Sequence, residues 1–199
     1  MKKLLYTLLI LLAAIAAGCI EDGFSTSPSD APHMSVDTLH MGTVFTEEGT
    51  PTYRFTVHNR ASKSISISSV TLGGDNPECF RLNVDGFSGR EFHDVEIRAK
   101  DSIYVFVAAT LPANGKNVPV DIRATVDFLA NGVEKSVVLD AQGRDAVRLH
   151  AVTLDSDTDF PAGRPYIVYD SLVVAPGATL RVAPGAELYF HDGAHMAVR

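Results

Sequence analysis

The chain has 199 residues, of which 46% are hydrophobic and 21% are charged, a composition typical of a folded protein and not of a disordered one. It carries 17 basic residues against 24 acidic ones, so the formal net charge is −7 at pH 7. That balance, with no basic tract to offset it, argues against a nucleic-acid partner. With only two cysteines, the chain must be stabilised by hydrophobic cores and not by a disulfide framework.

The first residues have the pattern of an export signal. Lys2 and Lys3 form a short basic start, and an apolar run follows from residue 4 to residue 17, interrupted only by Tyr6 and Thr7. A helix that spans a bilayer needs about 20 apolar residues, and this run is shorter. The pattern therefore predicts a signal segment that is removed on export.

The end of the apolar run resembles the lipobox of bacterial lipoproteins, since residues 15–19 read Ile-Ala-Ala-Gly-Cys. The resemblance implies that residues 1–18 are removed and that Cys19 is acylated as the first residue of the mature chain. The alternative is an ordinary secretory signal that happens to contain a cysteine. Three acyl chains, as in that family, would anchor the protein without a transmembrane helix, at about 0.8 kcal/mol per buried methylene.

Processing at this site changes the properties of the mature chain. The two lysines of the signal are lost, which leaves 15 basic against 24 acidic residues and a net charge of −9. Acylation of Cys19 leaves Cys79 as the one thiol, so no intramolecular disulfide can form.

Residues 19–35 are rich in serine and proline and predict a flexible tether. In lipoprotein sorting, an aspartate after the cysteine can mean retention at the inner membrane; Ile20 stands there instead and favours the outer membrane. Glu21 and Asp22 are similar to the acidic signal that directs lipoproteins of Bacteroidetes-type bacteria to the cell surface. A solubilising linker would look the same, so the periplasmic face of the outer membrane remains the alternative to the preferred surface location.

Residues 36–146 predict short strands separated by turns. Alternating apolar residues in segments such as 53–57 and 65–72 indicate half-buried strands, and a parity shift in the second segment predicts a bulge. Asn131 and Gly132 between two apolar runs predict a tight hairpin. Seven or eight strands at this spacing predict an all-β fold, an antiparallel β-sandwich.

The same region resembles a Hydin-type immunoglobulin-like domain. The resemblance rests on residues 37–45, ending Gly-Thr-Val-Phe, on residues 53–59, ending Thr-Val-His-Asn, and on the serine- and isoleucine-rich residues 65–70. The match is looser at residues 87–91, where the usual proline-glycine signal is replaced. Such domains act as spacers and interaction modules, and the resemblance implies no active-site residue.

Residues 147–199 predict a second unit built on an eight-residue repeat. The sequence Val-Ala-Pro-Gly-Ala begins at Val174 and again at Val182, and a degenerate copy begins at Phe190. Apolar residues that alternate with tight corners are typical of a β-solenoid, and this segment resembles the opening of a right-handed parallel β-helix in cell-surface lipoproteins. We expect further coils to follow Arg199; the alternative is that the copies fold back onto the sandwich as a small sheet.

Two groups of residues are weak candidates for metal binding. Asp155, Asp157 and Asp159 have the alternate carboxylates of a calcium loop, but the sixth position lacks glycine and no glutamate closes the loop, so an acidic turn is the preferred interpretation. His191 and His195 could ligate zinc only with a third ligand that the sequence does not assign.

Cys79 is predicted to be a buried, inert thiol because no basic residues flank it. No phosphate loop, nucleophile elbow or paired-carboxylate motif occurs. The sequence therefore predicts a non-catalytic outer-membrane or cell-surface lipoprotein without a cofactor, held in the membrane by its N-terminal lipid, which presents the sandwich and the β-helix to glycans or proteins. The alternative is a polysaccharide lyase or hydrolase whose active site lies on coils beyond residue 199.

Overall fold

The computed structural model describes residues 23–199, so the predicted signal peptide 1–18 and Cys19 lie outside the described residues. The described part is almost entirely β-structure, with 3-10 turns at Pro28–Asp30 and Pro77–Cys79. The strands are β1 (His33–Met34), β2 (Thr38–Phe45), β3 (Tyr53–His58), β4 (Ile65–Gly73), β5 (Phe80–Val84), β6 (Phe87–Gly89), β7 (Glu91–Ile97), β8 (Ser102–Ala109), β9 (Val120–Ala130), β10 (Val133–Arg144), β11 (Val147–Leu154), β12 (Thr158–Phe160), β13 (Tyr166–Val174), β14 (Leu180–Val182), β15 (Leu188–Phe190) and β16 (His195–Val198).

Strands β1 to β10 form two five-stranded sheets. Sheet A has the order β1-β3-β8-β5-β6, and sheet B has the order β2-β10-β9-β4-β7. All neighbours are antiparallel except β2 and β10, which pair in parallel. The described residues are thus almost entirely β-structure, with two sheets packed as a β-sandwich, which confirms the predicted sandwich.

The alternation seen in the sequence builds the core of the sandwich. Phe55, Ile67, Val105 and Val126, apolar residues within the region predicted to form the sandwich, are each no more than 2% exposed. They come from both sheets, and the ring of Phe55 meets that of Phe128 edge to face at 6.2 Å. Facing strands therefore bury their apolar side chains in one continuous core, as expected for a packed pair of sheets.

The predicted hairpin and bulge are confirmed. Asn131 and Gly132 connect β9 and β10 with φ of 53° and 73°, the positive pair that a type I′ turn requires. In β4 the pairing with β9 shifts between Ile67 and Ser69, at the parity change seen in the sequence. The bulge turns the rest of the strand so that Val70 also reaches the core.

Residues 23–35, the described part of the predicted tether, lie against the sandwich. The N–H of Ser25 donates to the carbonyl of Ser64 at 2.8 Å, and β1 pairs with β3. Lys135 Nζ donates to the carbonyl of Pro32 at 2.9 Å. The composition of this stretch predicts no core of its own, and these bonds show that it is ordered by backbone pairing with the sandwich instead.

Strands β11 to β16 form a separate unit in which every pairing is parallel. Val147 of β11 lies beside Tyr166 of β13, which lies beside Leu188 of β15, while β12 pairs with β14 and β16 pairs with β13. Ala151 and Asp170 have positive φ, so β11 and β13 each turn a corner at the same place along the strand. A small core around Phe160 fills the space between the strands.

The eight-residue copies supply successive turns of this unit. Gly177, Gly185 and Gly193 have φ near 80° and end the turns that follow β13, β14 and β15. Val174 is buried, but Val182 is 47% exposed and Phe190 is 44% exposed, although their spacing predicts an interior position. These two side chains are exposed because β14 and β15 each have a neighbouring strand on one side only, so that no next strand covers them.

Candidate functional site

The three candidate calcium ligands lie between β11 and the end of β12, and two of them pair with an arginine. The carboxylate of Asp157 accepts from Arg181 Nη2 at 2.8 Å and from the N–H of Thr179 at 3.0 Å, and these bonds lower the pKa of Asp157. Asp159 lies 3.7 Å from Arg181 Nη1, and Asp155 is exposed. Within residues 23–199, no group of three or more His, Cys, Asp or Glu side chains is arranged to hold a metal ion.

The two candidate zinc ligands lie on different sides of the parallel unit. His191 follows β15 and its ring stacks on Tyr169 at 5.1 Å, whereas His195 begins β16 opposite Ser171. The corner at Asp170 separates these two parts of β13. The structure therefore does not bring the two imidazoles to one face.

Cys79 is 5% exposed and forms part of the sandwich core. Burial raises the pKa of its thiol, and the neighbouring carboxylate of Glu78 raises it further. The thiol is therefore protonated at neutral pH, which fits the predicted inert role.

The feature most suited to binding is a groove on the outer face of sheet A, with a volume of about 570 Å³. This volume is within the range of ligand sites, about 300 to 1,000 Å³. We call it the sheet A groove, and the lining residues that matter here are Arg81, Asn83, Ser88, Arg90, Phe106 and Ala108.

Strand register brings these residues together. Phe106 lies between Val105 and Val107, which are fully buried, so its ring is on the opposite, outer face of β8. Phe106 is beside Arg54 of β3 and beside Asn83 of β5. Asn83 in turn is beside Ser88 of β6, and its Nδ2 donates to Ser88 Oγ at 3.2 Å. One row of side chains therefore crosses four strands.

The groove is bordered by cationic and aromatic side chains. The guanidinium of Arg54 lies over the ring of Tyr104, 5.2 Å from its centre, and this ring is 5.9 Å from that of Phe106. Arg81 Nη1 donates to Thr110 Oγ1 at 2.9 Å, which orients the rest of its guanidinium.

Three of the cations at this face have no internal counter-ion. Arg54, Arg81 and Arg90 are exposed, and none forms an ion pair with a carboxylate in the part of the chain that the structure describes. Glu78 is the acidic residue among the groove's lining. The face can therefore attract an anionic group while the protein as a whole is acidic.

A buried carboxylate lies where the sandwich meets the parallel unit. Asp145 is 5% exposed and accepts from Thr46 Oγ1 at 2.9 Å, from the N–H of Asn114 at 3.0 Å and from the N–H of Gly115 at 2.7 Å. Burial by itself would raise the pKa of Asp145, but these hydrogen bonds and the positive charge of Arg164 outweigh it, so the pKa is below its usual value. Asp145 is therefore a structural anion that holds two loops together.

Ion pairs and one aromatic contact fix the parallel unit on the sandwich. Arg144 at the end of β10 makes two bonds to Glu187, at 2.6 and 3.0 Å, and they raise the pKa of the arginine and lower that of the glutamate. Arg148 of β11 bonds to Glu48 in the loop after β2. The ring of Tyr189 meets that of Phe45 edge to face at 5.1 Å.

Sequence reasoning did not identify the sheet A groove. The available signal is Phe106, a large apolar residue on the solvent side of an alternating strand. Its neighbours Arg54, Asn83 and Ser88 are distant from it in sequence. They lie in one row with it because of the strand order of sheet A.

No family model matches the chain, and no curated protein matches it. Among solved structures, a protein of unknown function from Porphyromonas gingivalis W83 is 13% identical, with a TM-score of 0.40, over 63% of this chain and 60% of that one. The human CEP192 ASH / PapD-like domain is 11% identical, with a TM-score of 0.40, over 62% of this chain and 91% of that one.

A family 123 glycoside hydrolase from Clostridium perfringens is 8% identical, with a TM-score of 0.40 over 57% of this chain. The matched part spans only 26% of the hydrolase. Among residues 23–199, no helix has the length and apolar character needed to cross a bilayer.

Proposed function

We propose that this protein is an outer-membrane lipoprotein, exposed at the cell surface, that binds a glycan or protein ligand without catalysis. The observation that carries the anchoring is the small-residue box at residues 15–19, which ends in Cys19 directly after a short apolar run. Ile20 in place of an aspartate supports the outer membrane, and the acidic pair after it supports surface exposure.

The sheet A groove supports a binding role. It has the volume of a ligand site, an aromatic ring from β8 in its lining and polar side chains that converge on it from β5 and β6. It lies on a rigid sheet, since β8 and β5 are paired with neighbours on both sides. Such a surface needs no movement to present its side chains to a ligand.

Strands β11 to β16 constitute the first coils of a parallel β-helix in this proposal. Parallel register between β11, β13 and β15, and again between β12 and β14, supports successive coils stacked on one another. The matching corners at Ala151 and Asp170 support a common coil shape. The bonds from Arg144 and Arg148 orient these coils relative to the sandwich.

Hydrogen exchange tests the proposed coils. Amides in the sandwich are expected to exchange slowly, and those beyond about Leu188 quickly, because β15 and β16 have a partner on one side only and their apolar residues are exposed. Mass spectrometry of the 199-residue chain during exchange provides the measurement. Uniformly slow exchange as far as Val198 in a monomer would contradict an open last coil.

Protease treatment of intact cells tests the location. A surface protein is expected to be degraded while the outer membrane is intact, and a periplasmic marker protein in the same cells is expected to survive. Survival of the protein until the outer membrane is permeabilised would place it on the periplasmic face and would contradict surface exposure.

A further inference from the structure

We propose that the sheet A groove binds saccharides that carry carboxylate groups, such as chains of uronic acid. This inference rests on the proposed binding function and adds the class of ligand and the residues that recognise it. The arginines at the groove would bind the carboxylates, and the ring of Phe106 would contact the sugar rings.

The charge at the groove favours an anionic ligand. Arg81 and Arg90 both line it, and Arg54 lies beside Phe106 on the neighbouring strand β3. None of these arginines is paired with a carboxylate within residues 23–199. Planar guanidinium groups bind carboxylates through two parallel hydrogen bonds. Glu78 is the acidic residue of the lining and would repel an anionic group placed beside it. The anionic groups of a ligand must therefore lie near the arginines.

The backbone around the groove favours a saccharide over a peptide. Peptides that bind to β-sheets usually add a strand to a free edge, where main-chain N–H and C=O groups are unpaired. The groove instead lies on a sheet face, and β5 and β8 beneath it have neighbours on both sides. The site therefore offers side-chain donors and an aromatic ring, which suit hydroxyl and carboxylate groups on sugar rings.

Binding of oligogalacturonate to the detergent-solubilised full-length protein tests the inference. Its methyl ester is the matched control ligand, because esterification removes the charge and keeps the sugar backbone. Calorimetry is expected to show affinity for the acid at least about tenfold higher than for the ester, given the strength of hydrogen bonds between charged groups. The difference is expected to shrink as salt is raised.

Paired variants locate the site. Arg81→Gln with Arg90→Gln is expected to lower affinity for the acid by about tenfold or more, and Phe106→Ala to weaken binding of acid and ester alike. Arg60→Gln with Arg98→Gln removes the same charge at exposed positions outside the groove lining and is expected to bind as the unchanged protein does. Thermal unfolding of each variant checks that it is folded.

The outcomes separate this inference from the proposed function. Equal affinity for acid and ester, or equal loss in the two double variants, would overturn the acidic-saccharide assignment. Tighter binding of poly-glutamate than of oligogalacturonate would overturn it in favour of an acidic protein ligand. Phe106-dependent binding of a neutral glycan would leave the proposed function standing, whereas cleavage of the polymer by the protein would contradict the non-catalytic proposal itself.

Discussion

Replacement of Cys19 by alanine is expected to abolish acylation and to leave the precursor unlipidated. The thiol is the group that accepts the first lipid in proteins with such a box, and alanine has no atom that can replace it. With the lipid, three acyl chains hold the protein at about 0.8 kcal/mol per buried methylene.

Labelling with a fatty-acid probe and partition into a detergent phase measure this effect. Cys79→Ala is the control, because Cys79 is the other cysteine of the chain and is buried in the sandwich. The control variant is expected to be labelled as the unchanged protein is. Normal labelling of the Cys19→Ala variant would end the lipoprotein interpretation.

Replacement of Asp145 by asparagine is expected to destabilise the protein by about 2 to 3 kcal/mol at neutral pH. The carboxylate accepts hydrogen bonds from Thr46 and from the N–H groups of Asn114 and Gly115. An amide has one acceptor oxygen, and its NH₂ group would face donors that then lack a partner. The free energy of unfolding, obtained from urea titration, measures the loss.

The stability lost in Asp145→Asn is expected to become smaller as pH falls. The pKa of Asp145 is lower in the folded protein than its usual value, so the carboxylate contributes stability above that usual value. This contribution disappears as pH falls through the folded-state pKa, and the difference between the two proteins should shrink with it. Asp155→Asn, at an exposed position, is the control and is expected to change stability by less than about 0.5 kcal/mol. An equal loss in both variants would contradict a structural role for Asp145.

Local patterns were sufficient to predict much of the sandwich. Phe55 and Val126 alternate with polar residues, and a period of two places such residues on the core face whatever their partners are. The Asn131-Gly132 turn was predictable because positive φ is favourable for these two residue types. In both cases the local structure is determined by residues that are close together in the sequence.

Features that depend on distant contacts were not predictable in this way. Asp145 follows a glycine and an arginine and resembles an ordinary loop residue, and only the approach of Asn114 and Thr46 makes it a buried anion. The exposure of Val182 depends on how many strands flank β14, which an eight-residue pattern does not specify. The sheet A groove likewise requires the strand order that places Phe106 between Arg54 and Asn83.

The proposed ligand site lies on the outer face of sheet A. Nuclear magnetic resonance of the isotope-labelled full-length protein, titrated with oligogalacturonate, tests it most directly by mapping which residues the ligand affects. Signals from Arg81, Asn83, Ser88 and Phe106, which line the groove, are expected to shift, and signals from β11 to β16 are expected to stay unchanged. Shifts confined to β11 to β16, or an unchanged spectrum, would contradict it.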